Sequence, residues 1–186
     1  MSQAAPGRPQ LGRRHLLGLA LLGFFSRAWS QTDGEADESH VKAAFLYKFT
    51  GYVDWPDSAF GSVDVPFIMG VLGSDALLNE LLQLTAGRKV HERRIVVRKL
   101  APGDALSSLH LLFVGRTETL HAELPRPVLV VTESDGAMPR GSMINFVLVD
   151  RHVRFEIALP SVEKAGLRMS SRLLAVAQKV YQGQER

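Results

Sequence analysis

The stretch from Gly141 to Ala177 constrains the fold of this chain more than any other. Residues 143–149 are mostly apolar and of strand-favouring types, and residues 150–152 form a short polar break. Residues 153–157 then alternate apolar and charged side chains, which places the apolar ones on one face of a strand. Two such segments joined by a break of hairpin length predict an antiparallel β-hairpin near the carboxyl end.

Two helices are predicted after this hairpin. Pro160 has no N–H to donate, so strand pairing is expected to stop there. Ser161 can cap a short helix that ends near Gly166. Ser170 and Ser171 offer a second cap. The apolar residues that follow fall on one helical face, which predicts a terminal helix containing Leu173, Leu174, Val176, Ala177 and Val180.

Apolar runs and helical segments alternate through the earlier part of the chain. Four runs have the character of buried strands: 66–72, 95–100, 110–114 and 128–132. Three segments are predicted as helices: 40–51, 76–84 and 118–124. The alternation predicts an α/β fold, a single-domain sandwich with a mainly parallel sheet flanked by helices. The C-terminal β-hairpin is expected on the edge of that sheet.

The helix predicted over 40–51, with Ser39 as its cap, carries apolar residues at helical spacing. Lys42 and Lys48 are expected on its outward face. Trp55 follows, just before a proline that disfavours helix. A packing role is favoured for Trp55, and a platform for a flat ligand is the alternative.

Residues 1–30 have the pattern of a secretory signal. They contain four arginines and no acid, and the apolar run 16–25 is shorter than the about 20 residues needed to span a bilayer. Small residues at 28 and 30 predict cleavage before Gln31, and an uncleaved anchor is the alternative. The paired arginines leave both the Sec and the Tat route open. We therefore expect a removed signal, a flexible N-terminus over 31–38, a domain over 39–183, and a periplasmic protein.

The positive net charge of the chain comes from the arginines of this leader. The whole chain has a formal charge of +3 and a pI of about 9.4. Without the four leader arginines, 18 basic and 19 acidic side chains remain. That balance offers no basic stripe for phosphates, so no nucleic-acid partner is expected. The absence of cysteine excludes disulfides and thiol chemistry.

The sequence contains no recognised catalytic or metal-binding motif. The histidines after the leader are scattered, and neither an H-E-x-x-H nor a G-x-S-x-G pattern occurs. No enzyme activity, cofactor or metal site is expected. Glu133 and Asp135 follow a predicted strand at the end where α/β ligand sites lie, and Ser74 opens a helix after another. With Trp55 they are candidate ligand-binding residues, although turn formation and helix capping explain the polar ones equally well.

Several stretches resemble the YfiR-like family of small bacterial periplasmic proteins. In the block from Gly141 the matching segments are Gly141, Met143-Ile144, 153–157, 165–167 and 170–174. Further matches are 41–47 through Trp55-Pro56, and 66–73. The resemblance covers nearly all of the chain after residue 38. Many relatives carry cysteines that this chain lacks, so redox-dependent stabilisation proposed for them cannot apply here.

The resemblance implies a regulatory binding protein of the α/β class. The family includes repressors of an inner-membrane diguanylate cyclase. Relief of that repression raises cyclic di-GMP and favours biofilm. The implied partner is the periplasmic domain of such a cyclase or of another sensor protein. An outer-membrane lipoprotein and a second copy of the chain are further candidates.

Two functions are therefore carried forward. If the protein is a repressor, its candidate partner-binding residues lie in the block that carries the matched segments: Phe146, Phe155, Glu156, Leu159, Leu167 and Met169. Packing in the core and hairpin is an equally good explanation of these residues. The alternative is a small-ligand sensor or carrier that uses Trp55, Ser74, Glu133 and Asp135.

Overall fold

The structure, a computed structural model, describes residues 29–62, 64–119, 124 and 127–183. The α-helices are α1 (Trp29–Phe49), α2 (Asp75–Thr85), α3 (Leu159–Lys164) and α4 (Ser171–Val176). The strands are β1 (Val53–Asp54), β2 (Phe67–Leu72), β3 (Lys89–Val90), β4 (Arg93–Leu100), β5 (Leu111–Val114), β6 (Leu129–Glu133), β7 (Ile144–Val149), β8 (His152–Ala158), β9 (Arg168–Met169) and β10 (Lys179–Tyr181).

The strands form one large sheet and one small one. The large sheet has the order β10-β8-β7-β6-β5-β2-β4-β3. Its five central strands, β7, β6, β5, β2 and β4, run parallel to one another. β8 and β10 run in the opposite direction on one side, and β3 does so on the other. The small sheet pairs β1 with β9, and so ties the end of α1 to the segment after α3.

The prediction of a single-domain α/β fold is confirmed, with two corrections to the sheet. It is mixed rather than mainly parallel. The predicted hairpin is formed by β7 and β8, but it does not lie on the edge, because β10 pairs with the outer side of β8. The predicted terminal helix accordingly stops at Val176, and Lys179–Tyr181 is a strand.

Hairpin geometry explains where the chain reverses. Asp150 and Arg151 both have positive φ, 50° and 61°, and Val149 pairs with His152 across them. Two consecutive residues of positive φ make the turn that matches the twist of antiparallel strands. This geometry recurs in residues 91–92 between β3 and β4, a hairpin that the sequence did not predict.

The first helix differs from its prediction at its N-terminal end. It begins at Trp29, so residues 31–38 are helical in the structure. Ser39 lies inside the helix and is buried, instead of capping it. The flexibility of residues 31–38 and the cleavage of the leader stay predictions. The helix predicted over 118–124 falls mostly outside the described residues.

Helices α1 and α2 cover one face of the sheet, and most of the core lies beneath them. The phenylalanine cluster consists of Phe45 and Phe49 of α1, Phe146 of β7 and Phe155 of β8. The ring centroid of Phe49 lies 5.9 Å from that of Phe146 and 5.1 Å from that of Phe155. Because Phe49, Phe146 and Phe155 are almost fully buried, this cluster holds α1 on the sheet.

The opposite face has a smaller core. Leu72, Leu100, Leu109 and Leu112 contact one another there. A Cβ on Gly70 would lie 2.6 Å from a methyl carbon of Leu100, so a glycine in β2 permits this close packing. None of the helices in the described part of the chain is long and apolar enough to cross a membrane.

We predict that the substitution Phe49→Ala lowers the free energy of unfolding by about 3–5 kcal/mol, because it removes a fully buried ring and leaves a cavity. The matched control is Tyr52→Ala, since Tyr52 is 40% exposed and its loss should cost about 1 kcal/mol or less. Urea denaturation followed by circular dichroism measures both. Equal losses for the two variants would contradict the role given to the phenylalanine cluster.

Candidate functional site

A polar pocket of about 400 Å³ opens at the carboxyl ends of the parallel strands. β2, β5 and β6 end there, and α1 passes over them. The pocket is lined by Glu38, Ser39, Lys42, Gly73, Ser74, Gly115, Arg116, Thr117, Glu133 and Leu148. Ligands of α/β proteins commonly bind at this edge of the sheet. We call this opening the strand-end pocket.

Two glycines bring the floor of the strand-end pocket together. Gly73 follows β2 with a φ of +79°, a region in which side chains are disfavoured. Gly115 follows β5, and a Cβ there would lie 2.6 Å from the carbonyl oxygen of Gly73. Ser74 caps α2, because its Oγ accepts a hydrogen bond of 3.3 Å from the N–H of Leu77. The turns after β2 and β5 therefore touch without intervening side chains.

Lys42 of α1 is the buried cation of the pocket. Its Nζ donates to Oε2 of Glu38 at 2.9 Å and to Oε1 of Glu133 at 3.1 Å. The residue is 6% exposed, so the prediction that Lys42 faces away from the protein is wrong. Lys48 is exposed, as predicted. A buried ammonium group requires carboxylate partners, and Lys42 thus links α1 to the end of β6.

Arg116, which follows β5, joins the same network from the solvent side. Its Nη2 lies 2.7 Å from Oε1 of Glu133, and its Nη1 bonds to the carboxylate of Asp135. The hydrogen bond with Glu133 is the main cause that raises the pKa of Arg116, and the charges of Glu133 and Asp135 act in the same direction. Arg116 therefore stays cationic and fixes the turn after β6.

The charged residues that line the strand-end pocket, Glu38, Lys42, Arg116 and Glu133, sum to zero. Asp135, beside the pocket, brings the network to three carboxylates against two cations and a net charge of −1. Both cations are already paired with protein carboxylates, which disfavours an anionic ligand. Small cationic or zwitterionic molecules fit this balance better. In the part of the chain that the structure describes, no three histidine, aspartate or glutamate side chains form a group that could hold a metal ion.

The structure separates the four candidate ligand-binding residues. Ser74 and Glu133 line the strand-end pocket, and Asp135 lies beside it through its bond with Arg116. Trp55 lies at the other end of the sheet. Its Nε1 donates to the carbonyl oxygen of His110 at 3.0 Å, and its ring centroid lies 5.0 Å from that of Phe67, at the start of β2.

Trp55 is 9% exposed and belongs to the core, in line with the packing role favoured for it. A second opening of about 340 Å³ lies beside it, lined by Asp54, Trp55, Pro56, Gly166 and Arg168. This opening is formed where β1 pairs with β9. Any ligand that contacted Trp55 would therefore bind there and not at the strand ends.

Half of the candidate partner-binding residues lie inside the protein. Phe146, Phe155 and Leu167 are 1%, 2% and 1% exposed. The two phenylalanines belong to the phenylalanine cluster, and Leu167 packs in the same core. In this conformation a partner cannot touch these side chains, so they can shape a binding surface only from below.

The other three candidates, Glu156, Leu159 and Met169, are partly exposed. Glu156 lies on β8 and accepts a hydrogen bond of 3.0 Å from the hydroxyl of Tyr181. Leu159 begins α3, and Met169 pairs with Val53 in the small sheet. The partner-binding role of all six residues stays a prediction.

Lys42 and Arg116 are the site residues that sequence reasoning missed. The spacing of Glu38 and Lys42, four residues apart on a helix, is a signal for their ion pair. It does not reveal Glu133, which lies 91 residues further along the chain. Arg116 directly follows the glycine that ends a predicted strand, which is the position where strand-end sites are built.

Comparison with known proteins identifies the family of this chain. The model of the YfiR/HmsC-like family matches residues 39–178, about three quarters of the chain. No curated protein matches the chain. The matched span runs from the middle of α1 to the residue before β10. It contains the phenylalanine cluster, the opening beside Trp55, the whole hairpin of β7 and β8, and all of the strand-end pocket except Glu38. The chain therefore belongs to the YfiR/HmsC-like family.

Proposed function

We propose that this protein is a periplasmic regulator that represses a membrane-bound diguanylate cyclase by direct contact with the cyclase's periplasmic domain. The observation that carries the proposal is the family match over residues 39–178. Proteins of this family are periplasmic regulators rather than enzymes. An N-terminal signal over residues 1–30 would deliver the chain to that compartment.

The surface around β8, α3 and β9 is the part of the fold best suited to the contact. Glu156, Leu159 and Met169 expose part of their side chains there. Leu167 is buried two residues before Met169, and Phe155 is buried on the face of β8 opposite to that of Glu156. Apolar and charged side chains presented on ordered elements support specific binding, because little ordering is needed on association. We call Glu156, Leu159 and Met169 the candidate partner surface.

In the native host, deletion of the gene is expected to raise cyclic di-GMP and biofilm, because the cyclase loses its repressor. Extraction and quantification of cyclic di-GMP measures the effect. Complementation with the wild-type gene should restore the original level. Two results together would refute the proposal. Cyclic di-GMP would stay unchanged on deletion, and the purified protein would not bind the periplasmic domain of any cyclase encoded by a neighbouring gene.

The substitution Glu156→Lys is expected to weaken binding to the cyclase domain about tenfold or more, since it reverses a charge on the candidate partner surface. Isothermal titration calorimetry measures the dissociation constant. Asp57→Lys is the matched control, because it makes the same charge change at an exposed residue outside this surface. Equal affinities of the two variants would place the contact elsewhere.

Recognition of a small ligand at the strand-end pocket is a second candidate function. What favours it is the convergence of Ser74, Glu133, Lys42 and Arg116 on one opening. A ligand that bound there in one conformation of the protein would shift its affinity for a partner. A sensor and a repressor are therefore compatible in one molecule.

The net charge of −1 on the ion-pair network in and beside the strand-end pocket predicts that putrescine raises the thermal midpoint of unfolding by more than succinate does at equal concentration and ionic strength. Differential scanning fluorimetry measures both shifts. Asp135→Asn should reduce the putrescine shift, because it removes one exposed carboxylate of the network. Asp57→Asn, at an exposed carboxylate away from the pocket, should leave it unchanged. A larger shift with succinate would contradict this charge argument.

A further inference from the structure

The sheet has an open edge at the side opposite to β10. β3, the last strand in the order, pairs with β4 at Arg93 and Arg94 alone. β4 continues to Leu100, and its residues 95–100 pair with β2 on their inner side. Among residues 29–62, 64–119, 124 and 127–183, no strand covers the outer side of 95–100. We call this outer side of residues 95–100 the open edge.

The open edge lies in the most basic stretch of the domain. Residues 88–99 contain six arginines and lysines and one glutamate, a net charge of +5. The whole chain has a formal charge of +3, so all other residues together sum to −2. The positive charge of the domain is therefore concentrated on β3, β4 and the turn between them.

The basic side chains are distributed over both faces of β4. Strand alternation puts Arg94, Val96 and Arg98 on one face, and Ile95, Val97 and Lys99 on the other. Arg98 and Lys99 are exposed and reach polar neighbours: Arg98 Nη1 is 3.3 Å from Ser108 Oγ, and Lys99 Nζ is 2.6 Å from Asp75 Oδ1. The valines and Ile95 remain partly exposed between them.

We propose that the open edge binds an extended segment of a partner protein that alternates acidic and apolar residues. Added to β4 as a further strand, such a segment would satisfy the outward backbone N–H and C=O groups beyond the N–H of Ile95, which already donates to the carbonyl oxygen of Arg88 at 3.4 Å. Its acidic side chains would lie opposite Arg98 and diagonal to Arg94, whose directly opposite position is taken by Lys89 of β3. Its apolar side chains would lie beside Ile95 and Val97. The open edge is separate from the candidate partner surface, which lies near the opposite edge of the sheet, beside β10.

Charge decides between the possible occupants of the open edge. A second copy paired edge to edge would bring Arg98 and Lys99 close to the same residues of its partner, and like charges across strands are destabilising. An anionic membrane would attract the charges but leave the backbone groups of the edge unused. An acidic extended segment uses both features.

The test uses the purified protein and a fluorescein-labelled eight-residue peptide that alternates Glu and Val, with blocked termini. Fluorescence anisotropy should show saturable binding, and the matching Lys–Val peptide should not bind. Hydrogen exchange followed by mass spectrometry should show slower exchange within residues 95–100 when the Glu–Val peptide is bound. The double variant Arg94→Glu, Arg98→Glu should bind this peptide at least tenfold more weakly.

The matched control is Arg140→Glu, Arg172→Glu, which makes an equal charge change at two exposed arginines outside the edge. It should retain the wild-type affinity. No saturable binding of the Glu–Val peptide, equal losses in the two double variants, or binding without slower exchange at residues 95–100 would each overturn the proposal. Binding to phosphatidylglycerol vesicles in place of the peptide would also overturn it, in favour of a membrane-facing role.

Discussion

The burial of α1 against the hairpin of β7 and β8 is the interaction on which the rest of the structure depends. Phe45 and Phe49 contribute rings from the helix, and Phe146 and Phe155 contribute rings from the sheet. Each aromatic pair adds about 0.5–1.5 kcal/mol beyond the burial of its surface. Elements distant in sequence are thereby joined, and the middle and the C-terminal end of α1 are placed over opposite ends of the sheet.

α1 organises both openings. From just past its middle, Lys42 reaches Glu133 and closes the strand-end pocket with an ion pair. Beyond its C-terminus, β1 pairs with β9 and positions Trp55 over the start of β2. Removing one partner of a buried ion pair typically costs about 3–5 kcal/mol, so Lys42 and Glu133 couple the helix to the sheet as well as shaping the pocket. Structure and candidate function share these residues.

The two edges of the large sheet differ in chemistry. Next to β10 lies Glu156, which is hydrogen-bonded to Tyr181 and belongs to the matched family segment 153–157. At the other edge, β4 carries arginines and lysine and leaves residues 95–100 uncovered by any described strand. Charged side chains on an edge strand oppose pairing of like edges, and they also select an oppositely charged segment. The two proposed binding surfaces therefore do not overlap.

Local patterns in the sequence determined the fold class, the six predicted strands and the helices α1 to α4, although not all of their bounds. Apolar runs and alternation report burial on one or both faces, which is a local property. The tertiary structure alone decided that Lys179–Tyr181 is a strand, because its partner β8 lies more than twenty residues earlier and its apolar spacing also fits a helix. It alone decided that Phe146, Phe155 and Leu167 are core, that Trp55 is far from Ser74, and that Lys42 points inward to Glu133. Each of these features depends on contacts between residues distant along the chain. The side-chain pattern of a single segment does not identify the distant segment against which it packs.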